Sequence, residues 1–376
     1  MMANLSNARL RSAASAALAL LALHSVSSAS SADTFAIQAE RVHTGGGQVL
    51  KDATVVIADG KIVSILTAGV EAPQGVDVIE HEGDLSAGLI ALQDFSGAKG
   101  ENHDSTRTLM PDADLSHAYH PDHSDFERLL SEGITSIVLA PARASLVGGV
   151  TAVVKTHGGR VLKRRAHLQL SLASSSLRHD RFPTSYAGAL TEFDERLESE
   201  QGAFGEAQAG KLPVVIRADS KHEVQRAVAF AQEHGLKGAI AGASRSGELA
   251  ASIRDAGLGV IYRPFTLGME SRSLRSVALL AEAKVPFGFG LEAPLRHPAS
   301  LRLSAAACMR AGLDAKTAWR ALTEDAASIA GVESSVGVVA AGKDADLVLW
   351  SAEPLDLGSS VVAVYVDGLR AFGGDQ

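Results

Sequence analysis

Short apolar runs bounded by turn-forming residues mark strands near both ends of the chain. Residues 54–58 and 61–65 are two such runs, separated by an Asp-Gly pair. This pair is a strong β-hairpin signal, because the tight turn requires positive φ at both positions. Residues 346–350 and 361–366 have the same character, and a second Asp-Gly pair follows them. The pattern predicts that both chain ends contribute strands to one small composite β-sandwich domain.

Between these ends, apolar strand-like runs alternate with helical segments. Runs recur at roughly even spacing within residues 212–289, and capping-box patterns at 124–127 and 220–223 mark the starts of helices. This alternation predicts an α/β fold with a parallel sheet. Residues 87–332 come close in number to the roughly 250 residues of a (β/α)₈ barrel. The sequence therefore predicts a (β/α)₈ TIM-like barrel. A doubly wound open sheet remains the alternative, since periodicity does not show closure.

The N-terminal residues follow the order of a secretory signal peptide. Arg9 and Arg11 form a short positive region, an apolar run covers 13–23, and small residues lead to Ala32. The run is too short for a membrane span, which needs about 20 residues. We expect a secreted or periplasmic protein with no membrane insertion after cleavage; a disordered extension is the alternative. The predicted organisation is a signal peptide (1–32), the N-terminal part of the composite domain (33–86), the barrel (87–332) and the C-terminal part of the composite domain (333–376).

Composition excludes several classes of protein. Hydrophobic residues make up 46% of the 376 positions, which is enough for a large core, and the net charge of −8 argues against a nucleic-acid partner. A single cysteine, Cys308, excludes a disulfide scaffold, and its apolar helical surroundings make a catalytic thiolate unfavourable. Neither a phosphate-binding glycine loop nor a G-x-S-x-G nucleophile motif occurs.

Several motifs together resemble the amidohydrolase superfamily. The Gly-Lys-x-Ala-Asp-Leu turn at 342–347 and the helical stretch at 312–327 that precedes it resemble the superfamily's closing segment. The loop at 145–155 and the strand at 211–216 resemble its imidazolonepropionase-like branch, and all four occur in the same order as in the family. The resemblance implies a metal-dependent-hydrolase barrel with a composite β domain. It also implies one or two divalent metals at the carboxyl ends of the strands, which activate a water molecule.

At most of the family's metal-binding positions, this chain has residues that do not bind a metal. Family members use His-x-His on the first strand, a lysine on the fourth, histidines on the fifth and sixth, and an aspartate on the eighth. In this chain these positions are Gln93, Phe95, Lys155, Arg217, Ala241 and Glu292. Lys155 either corresponds to the family's lysine or lies in a hairpin. We therefore expect a degenerate member without the metal centre and with no cofactor; zinc or another divalent metal enters only under the alternatives below.

Arg217 and Glu292 are expected to lie in the same barrel mouth. A buried arginine needs a partner, because an unpaired buried charge costs several kcal/mol. We predict an Arg217–Glu292 ion pair at the former metal position, with Asp94 and Asp219 as alternative partners for the arginine. Such a pair is either a plug that stabilises the barrel, which we favour, or part of an anion- or carboxylate-binding pocket.

A histidine cluster offers a different site. His117, His120 and His123 have H-x-x-H-x-x-H spacing with carboxylates nearby, and imidazoles with carboxylates suit zinc. Pro121 interrupts a continuous helix there, so the three rings need not share a face. The alternative to a metal site is a solvated surface loop.

Three functions remain open. The first is a non-catalytic, exported pseudoenzyme that acts as a binding or scaffold subunit, for a small molecule or beside an active amidohydrolase relative. The second is an active hydrolase of non-peptide or dipeptide C–N bonds that uses Glu292 or Asp94, or a rebuilt single-metal site. The third is a metal-binding protein that uses the loop of His117, His120 and His123. We favour the first, because the ligands that the chemistry requires are absent.

Overall fold

The computed structural model describes residues 34–98, 100–104, 106–265 and 269–374. The predicted signal peptide lies outside these residues. The strands are β1 (Phe35–His43), β2 (Val49–Ala58), β3 (Lys61–Leu66), β4 (Asp77–Ala87), β5 (Leu89–Asp94), β6 (Ile134–Leu139), β7 (Val147–Val150), β8 (Ala152–Lys155), β9 (Val161–Lys163), β10 (Leu168–Ser171), β11 (Val214–Arg217), β12 (Gly238–Ala241), β13 (Leu258–Tyr262), β14 (Phe287–Phe289), β15 (Leu347–Trp350), β16 (Val361–Val366) and β17 (Leu369–Phe372).

Helices follow most strands of the middle region. They are α1 (Asp125–Leu130), α2 (Tyr186–Glu198), α3 (Gly202–Gln208), α4 (Lys221–Glu233), α5 (Ala250–Asp255), α6 (Ser271–Glu282), α7 (Ser300–Arg310), α8 (Ala315–Arg320) and α9 (Glu324–Ala330). Within the described residues, no helix combines the length and the apolar character that a membrane span requires.

One seven-stranded sheet joins the two ends of the chain. Its order is β17-β16-β15-β4-β1-β2-β3, with β4 parallel to β1 and antiparallel to β15. Asp59 and Asp367, which begin the two Asp-Gly turns, have φ of 54° and 49°, as the hairpin prediction requires. The prediction of a composite sheet-rich domain is thus confirmed, but the expected sandwich is a single sheet. Ile37, Val55 and Leu347 lie in the apolar cluster on one face of this sheet.

The middle region forms a six-stranded and a four-stranded sheet. Strands β10 to β14 are parallel, as the alternation of strands and helices predicted, and β5 is parallel to β6. However, β7 runs antiparallel to β10, and β8 runs antiparallel to β6. The loop 140–146 between β6 and β7 is too short for the crossover of a dozen or more residues that a parallel connection needs. Within the described residues, the regular barrel of eight parallel strands that the sequence predicted is therefore not shown, although a β-bridge between Leu92 and Gly290 connects the two sheets.

Candidate functional site

A pocket opens at the carboxyl ends of β5, β11, β12 and β14. Parallel strands whose carboxyl ends meet at one edge bring together side chains that are distant in sequence. The lining includes five of the positions singled out in the sequence: Gln93, Phe95, Arg217, Ala241 and Glu292. Two cavities of about 270 and 440 Å³ adjoin the pocket and share Arg263 and Glu292 with it. The predicted strand-end residues therefore lie in one cleft.

Arginine side chains dominate the charge of this cleft. Arg143, Arg217 and Arg263 line the pocket, and Arg296 lines the adjoining cavities. Asp219 and Glu292 are the carboxylates among the lining residues of these three cavities. Burial, and after it the positive charges of Arg263 and Arg217, lower the pKa of Arg143 to about 9. The cleft thus holds more positive than negative charge in a partly desolvated space.

Glu292 is held by arginines that approach from two loops. It forms ion pairs with Arg143, in the loop after β6, and with Arg263, whose Nε lies 3.5 Å from Oε1. The Glu292 side chain is only 8% exposed. Its φ is 61°, and Gln93, which accepts a hydrogen bond from the Glu292 N–H at 3.0 Å through its carbonyl oxygen, has φ of 56°. Such left-handed non-glycine residues store strain and cluster at functional sites.

The expected Arg217–Glu292 ion pair is wrong. The Arg217 guanidinium pairs with Asp219 at 2.6 Å and donates to the Arg143 carbonyl oxygen at 2.9 Å. Asp219 was the alternative partner, and it lies two residues from Arg217 at the end of the same strand. Arg143 lies beside Glu292 because the loop after β6 folds over the pocket. The sequence pattern of β11 alone does not indicate the position of this loop.

Arg143 and Arg263 are two pocket residues that the sequence pattern did not single out. Arg263 directly follows β13, just as Arg217 ends β11, so reading the residue at the end of every strand would have found it. Arg143 lies in a loop, and no local pattern indicated its contact with Glu292.

Asp94 is a buried carboxylate behind the pocket. It is fully buried, and it accepts hydrogen bonds from the N–H groups of Ser96 and Ala293 at 2.9 and 2.8 Å. Burial raises the pKa of Asp94 to about 6. It is absent from the lining of the pocket, and its contacts join the end of β5 to the loop that carries Glu292.

Lys155 does not lie in the pocket. It is fully buried in β8, in the hairpin that β8 forms with β9, and contacts Asp344, Asp346 and Asp367 of the C-terminal region. Burial opposes its charge, but these carboxylates hold the pKa of Lys155 above its usual value. Lys155 thus lies in the hairpin, one of its two expected placements, and its ammonium group contacts the carboxylates of the C-terminal region instead of lining the pocket.

Histidines of the loop at 117–123 contact separate partners in the described structure. His120 contacts Glu101 at 3.0 Å, whereas His123 contacts Asp125 at 3.2 Å. In the part of the chain that the structure describes, no convergent group of three ligand side chains includes His117, His120 or His123. The solvated loop is the better description of this segment. Cys308, for its part, is buried in α7, and burial raises the pKa of its thiol to about 12.

The pocket side chains do not fit the family's divalent metal. A zinc-type ion needs several neutral imidazole or anionic ligands. At the corresponding positions the pocket offers one carboxylate, Glu292, which is already paired with Arg143 and Arg263. Arg217 places a further positive charge in the same lining.

Comparisons with known proteins find similarity to amidohydrolase-family proteins. Residues 275–370 match the amidohydrolase family. The chain is 30% identical over 187 residues to an imidazolonepropionase of Acidiphilium cryptum (strain JF-5), covering 45% of this chain and 44% of that protein. It is 33% identical over 79 residues to the amidohydrolase tasK of Hapsidospora irregularis, which covers 21% of this chain and 8% of that protein. The chain therefore spans less than half the length of these curated relatives.

Solved structures extend the likeness to the whole fold. An amidohydrolase from Thermotoga maritima MSB8 superposes with a TM-score of 0.81 at 21% identity, covering 90% of this chain and all of that one. A putative prolidase from Bifidobacterium longum superposes with a TM-score of 0.60 at 17% identity, covering 92% of this chain and 96% of that one. The α/β fold is thus that of amidohydrolases.

Proposed function

We propose that this chain is an exported, non-catalytic member of the amidohydrolase superfamily whose metal centre has been replaced by a binding site for an anionic small molecule. Under this proposal, the six-stranded and four-stranded sheets of the middle region are a rearranged form of the family's barrel. The observation that carries the proposal is the set of three arginines, Arg143, Arg217 and Arg263, around Glu292 in the pocket.

The arginines suit a carboxylate-bearing ligand. A guanidinium group presents a planar fork of donors that binds a carboxylate through two parallel hydrogen bonds. The positive charges exceed the negative ones, and the pKa of Arg143 is lowered first by its burial and then by the like charges of Arg263 and Arg217. An anion relieves this repulsion, so binding is favoured most where Arg143 and Arg263 face the cavity together.

The adjoining cavity indicates the rest of the ligand. Phe95, Pro294 and Leu295 line the 440 Å³ space together with Arg143 and Arg263. Leu295 is 77% exposed in the free protein, so a ligand can cover it. An apolar body attached to a carboxylate fits both kinds of side chain and buries apolar surface in addition to its charge.

The chemistry that the family performs has little support in these side chains. Hydrolysis of an amide needs an activated water molecule and stabilisation of the developing oxyanion. Glu292 is occupied by two arginines, and Asp94 is buried behind the pocket. We therefore propose binding, to carry or present the anion or to act beside an active relative, rather than turnover.

The decisive experiment is a binding titration of the mature, untagged chain with small aryl and alkyl carboxylates. We expect Arg263→Met to weaken binding at least tenfold, because it removes a charge-assisted hydrogen bond worth about 1.5–3 kcal/mol. Arg310→Met, at the exposed end of α7, is the control and should bind normally. If no carboxylate binds, or if Arg263→Met binds as well as the parent, the proposal is wrong.

The hydrolase alternative is tested on the same protein. Dipeptides, lactams and cyclic amides are incubated with the mature chain, and product is measured by mass spectrometry. Hydrolysis that Glu292→Gln or Asp94→Asn abolishes would establish the alternative and contradict the non-catalytic proposal.

A further inference from the structure

A second group of ionisable side chains lies on the composite sheet, away from the arginine pocket. His43 is the last residue of β1, Asp84 lies in β4, and Glu353 follows β15. The sheet brings them together because β4 is paired with β1 on one side and with β15 on the other. None of the three lines the pocket at the carboxyl ends of the strands.

The potential ligand atoms of the three side chains converge. His43 Nε2 lies 2.5 Å from Asp84 Oδ2 and 3.8 Å from Glu353 Oε2. All three ligand atoms lie within 4.8 Å of one another, and the described residues contain no other group of this kind. Zinc bonds of 2.0–2.2 Å in tetrahedral geometry separate ligand atoms by roughly 3.4 Å. A shift of the Asp84 oxygen by about 1 Å therefore makes room for the ion.

The group of three side chains is partly buried, and one of the carboxylates is held in a fixed orientation. Asp84 is fully buried and His43 is nearly so, whereas the Glu353 side chain is 55% exposed and leaves an entry path. Arg41 binds the other oxygen of Asp84, which orients the carboxylate and leaves Oδ2 directed toward His43. Partners that fix ligand orientation in this way are a regular feature of metal sites.

Glu353 distinguishes a metal site from a simple hydrogen-bonded pair. A buried His43–Asp84 contact is complete without it, and 3.8 Å is too long for a hydrogen bond. The Glu353 carboxylate nevertheless lies beside the same ring nitrogen that Asp84 contacts. Two carboxylates and one imidazole around one point make a mixed nitrogen and oxygen ligand set, which favours zinc over magnesium or calcium.

We propose that His43, Asp84 and Glu353 bind one zinc-type divalent cation, with a fourth position open to water. The ion joins β1 and β4 from the N-terminal part of the sheet to the segment after β15. It therefore stabilises the closure of the composite sheet, since binding only to the folded state raises stability by mass action.

The test uses the mature chain, purified without an affinity tag, treated with chelator and dialysed. Zinc chloride is titrated by calorimetry, and thermal unfolding is followed with and without zinc. We expect about one equivalent of zinc to bind and the unfolding temperature to rise by several degrees. Cobalt in place of zinc should give the visible absorption of a four-coordinate ion, which does not depend on any activity.

Glu353→Gln is the decisive variant. Because Glu353 is exposed, its replacement should leave the zinc-free unfolding temperature unchanged while zinc affinity falls at least tenfold. Glu40→Gln, an exposed carboxylate beside Arg41, is the matched control and should bind zinc normally. His43→Gln should abolish binding, but Glu353→Gln decides the matter if His43→Gln fails to fold.

Two results would overturn the assignment. One is an unchanged zinc titration in Glu353→Gln, and the other is the absence of any zinc-dependent stabilisation of the parent chain. Glu292→Gln is titrated with zinc in parallel. If zinc binds in the arginine pocket, this variant binds less zinc than the parent chain. The carboxylate titration reports on the arginine pocket alone, so failure of one proposal does not affect the other.

Discussion

Lys155 shows how strongly a single buried charge depends on its partners. Its ammonium group has no exposure to solvent and contacts Asp344, Asp346 and Asp367, all from the C-terminal region. Removing one member of a buried ionic group costs far more than the group contributes as a whole, because the remaining charges stay buried and uncompensated. Lys155 therefore joins β8 to the segment around β15.

We predict that Lys155→Met lowers the free energy of unfolding by about 3–5 kcal/mol, because three carboxylates lose their central cation. Urea denaturation at neutral pH measures the change. Lys51→Met, at an exposed position on β2, is the control and should stay within about 0.5 kcal/mol of the parent. An equally small effect of Lys155→Met would show that the carboxylates do not depend on this cation.

At the scale of the element, the start of α4 connects a helix cap to the arginine pocket. Ser220 caps the helix, and Glu223 accepts the Ser220 N–H at 2.9 Å, as the capping-box pattern predicted. Glu223 also accepts the N–H groups of Ser174 and Asp219, each at 2.8 Å. The cap therefore positions Asp219, the partner of Arg217. The box predicted at 124–127 is different, because α1 forms there without a side-chain cap.

We predict that Glu223→Gln destabilises the protein by about 2 kcal/mol at pH 7, since an amide replaces a charged acceptor of several hydrogen bonds. Burial alone would raise the pKa of Glu223, but the N–H groups of Ser174 and Ser220 and the hydroxyl of Tyr186 lower it from 4.5 to about 2. The stabilisation is therefore complete above about pH 4.5 and is lost as the pH falls toward 2.

Urea unfolding of both proteins at pH 7 and at about pH 3.5 measures this loss, and the difference between them should shrink at the lower pH. Glu233→Gln, at the exposed end of the same helix, should show no such pH-dependent difference. A constant difference across this range would mean that Glu223 acts only as a neutral acceptor.

At the scale of the molecule, the composite sheet and the middle region share one core. Trp350, Val364 and Val366 of the sheet belong to the same buried cluster as the strands and helices of the middle region. Trp350 donates a hydrogen bond to Ser86 at 2.8 Å and packs under the guanidinium of Arg302. The last strands of the chain are therefore part of the core, and their loss is expected to affect the whole molecule.

We predict that a chain ending at residue 360, without β16 and β17, does not fold. Removing β16 and β17 uncovers the buried face around Trp350 and leaves β15 as an unpaired edge strand. Size-exclusion chromatography and binding of an apolar dye test this, with a chain ending at residue 372 as the control. A compact, dye-free product from the shorter chain would show that the middle region folds without these strands.

Features of this protein that the sequence predicts correctly depend mostly on residues close together along the chain. The turns at Asp59 and Asp367, the cap at Ser220 and the gathering of strand-end residues such as Arg217 and Glu292 all agree with the structure. The predicted partner of Arg217 was wrong, and the placement of Lys155 stayed open between the pocket and a hairpin. Both depend on which of several candidate groups a side chain meets in the folded chain.

The sequence by itself determined the local elements, because turns, caps and strand periodicity depend on backbone preferences of residues close along the chain. It also determined which residue types occupy the strand ends. Only the tertiary structure decided that the short loop before β7 reverses the strand direction and that Arg143 reaches Glu292. It also decided that His43 meets Glu353 across β4. These contacts join segments that are far apart in sequence. How the sheets pair and pack brings the segments together, and no local sequence pattern encodes that arrangement.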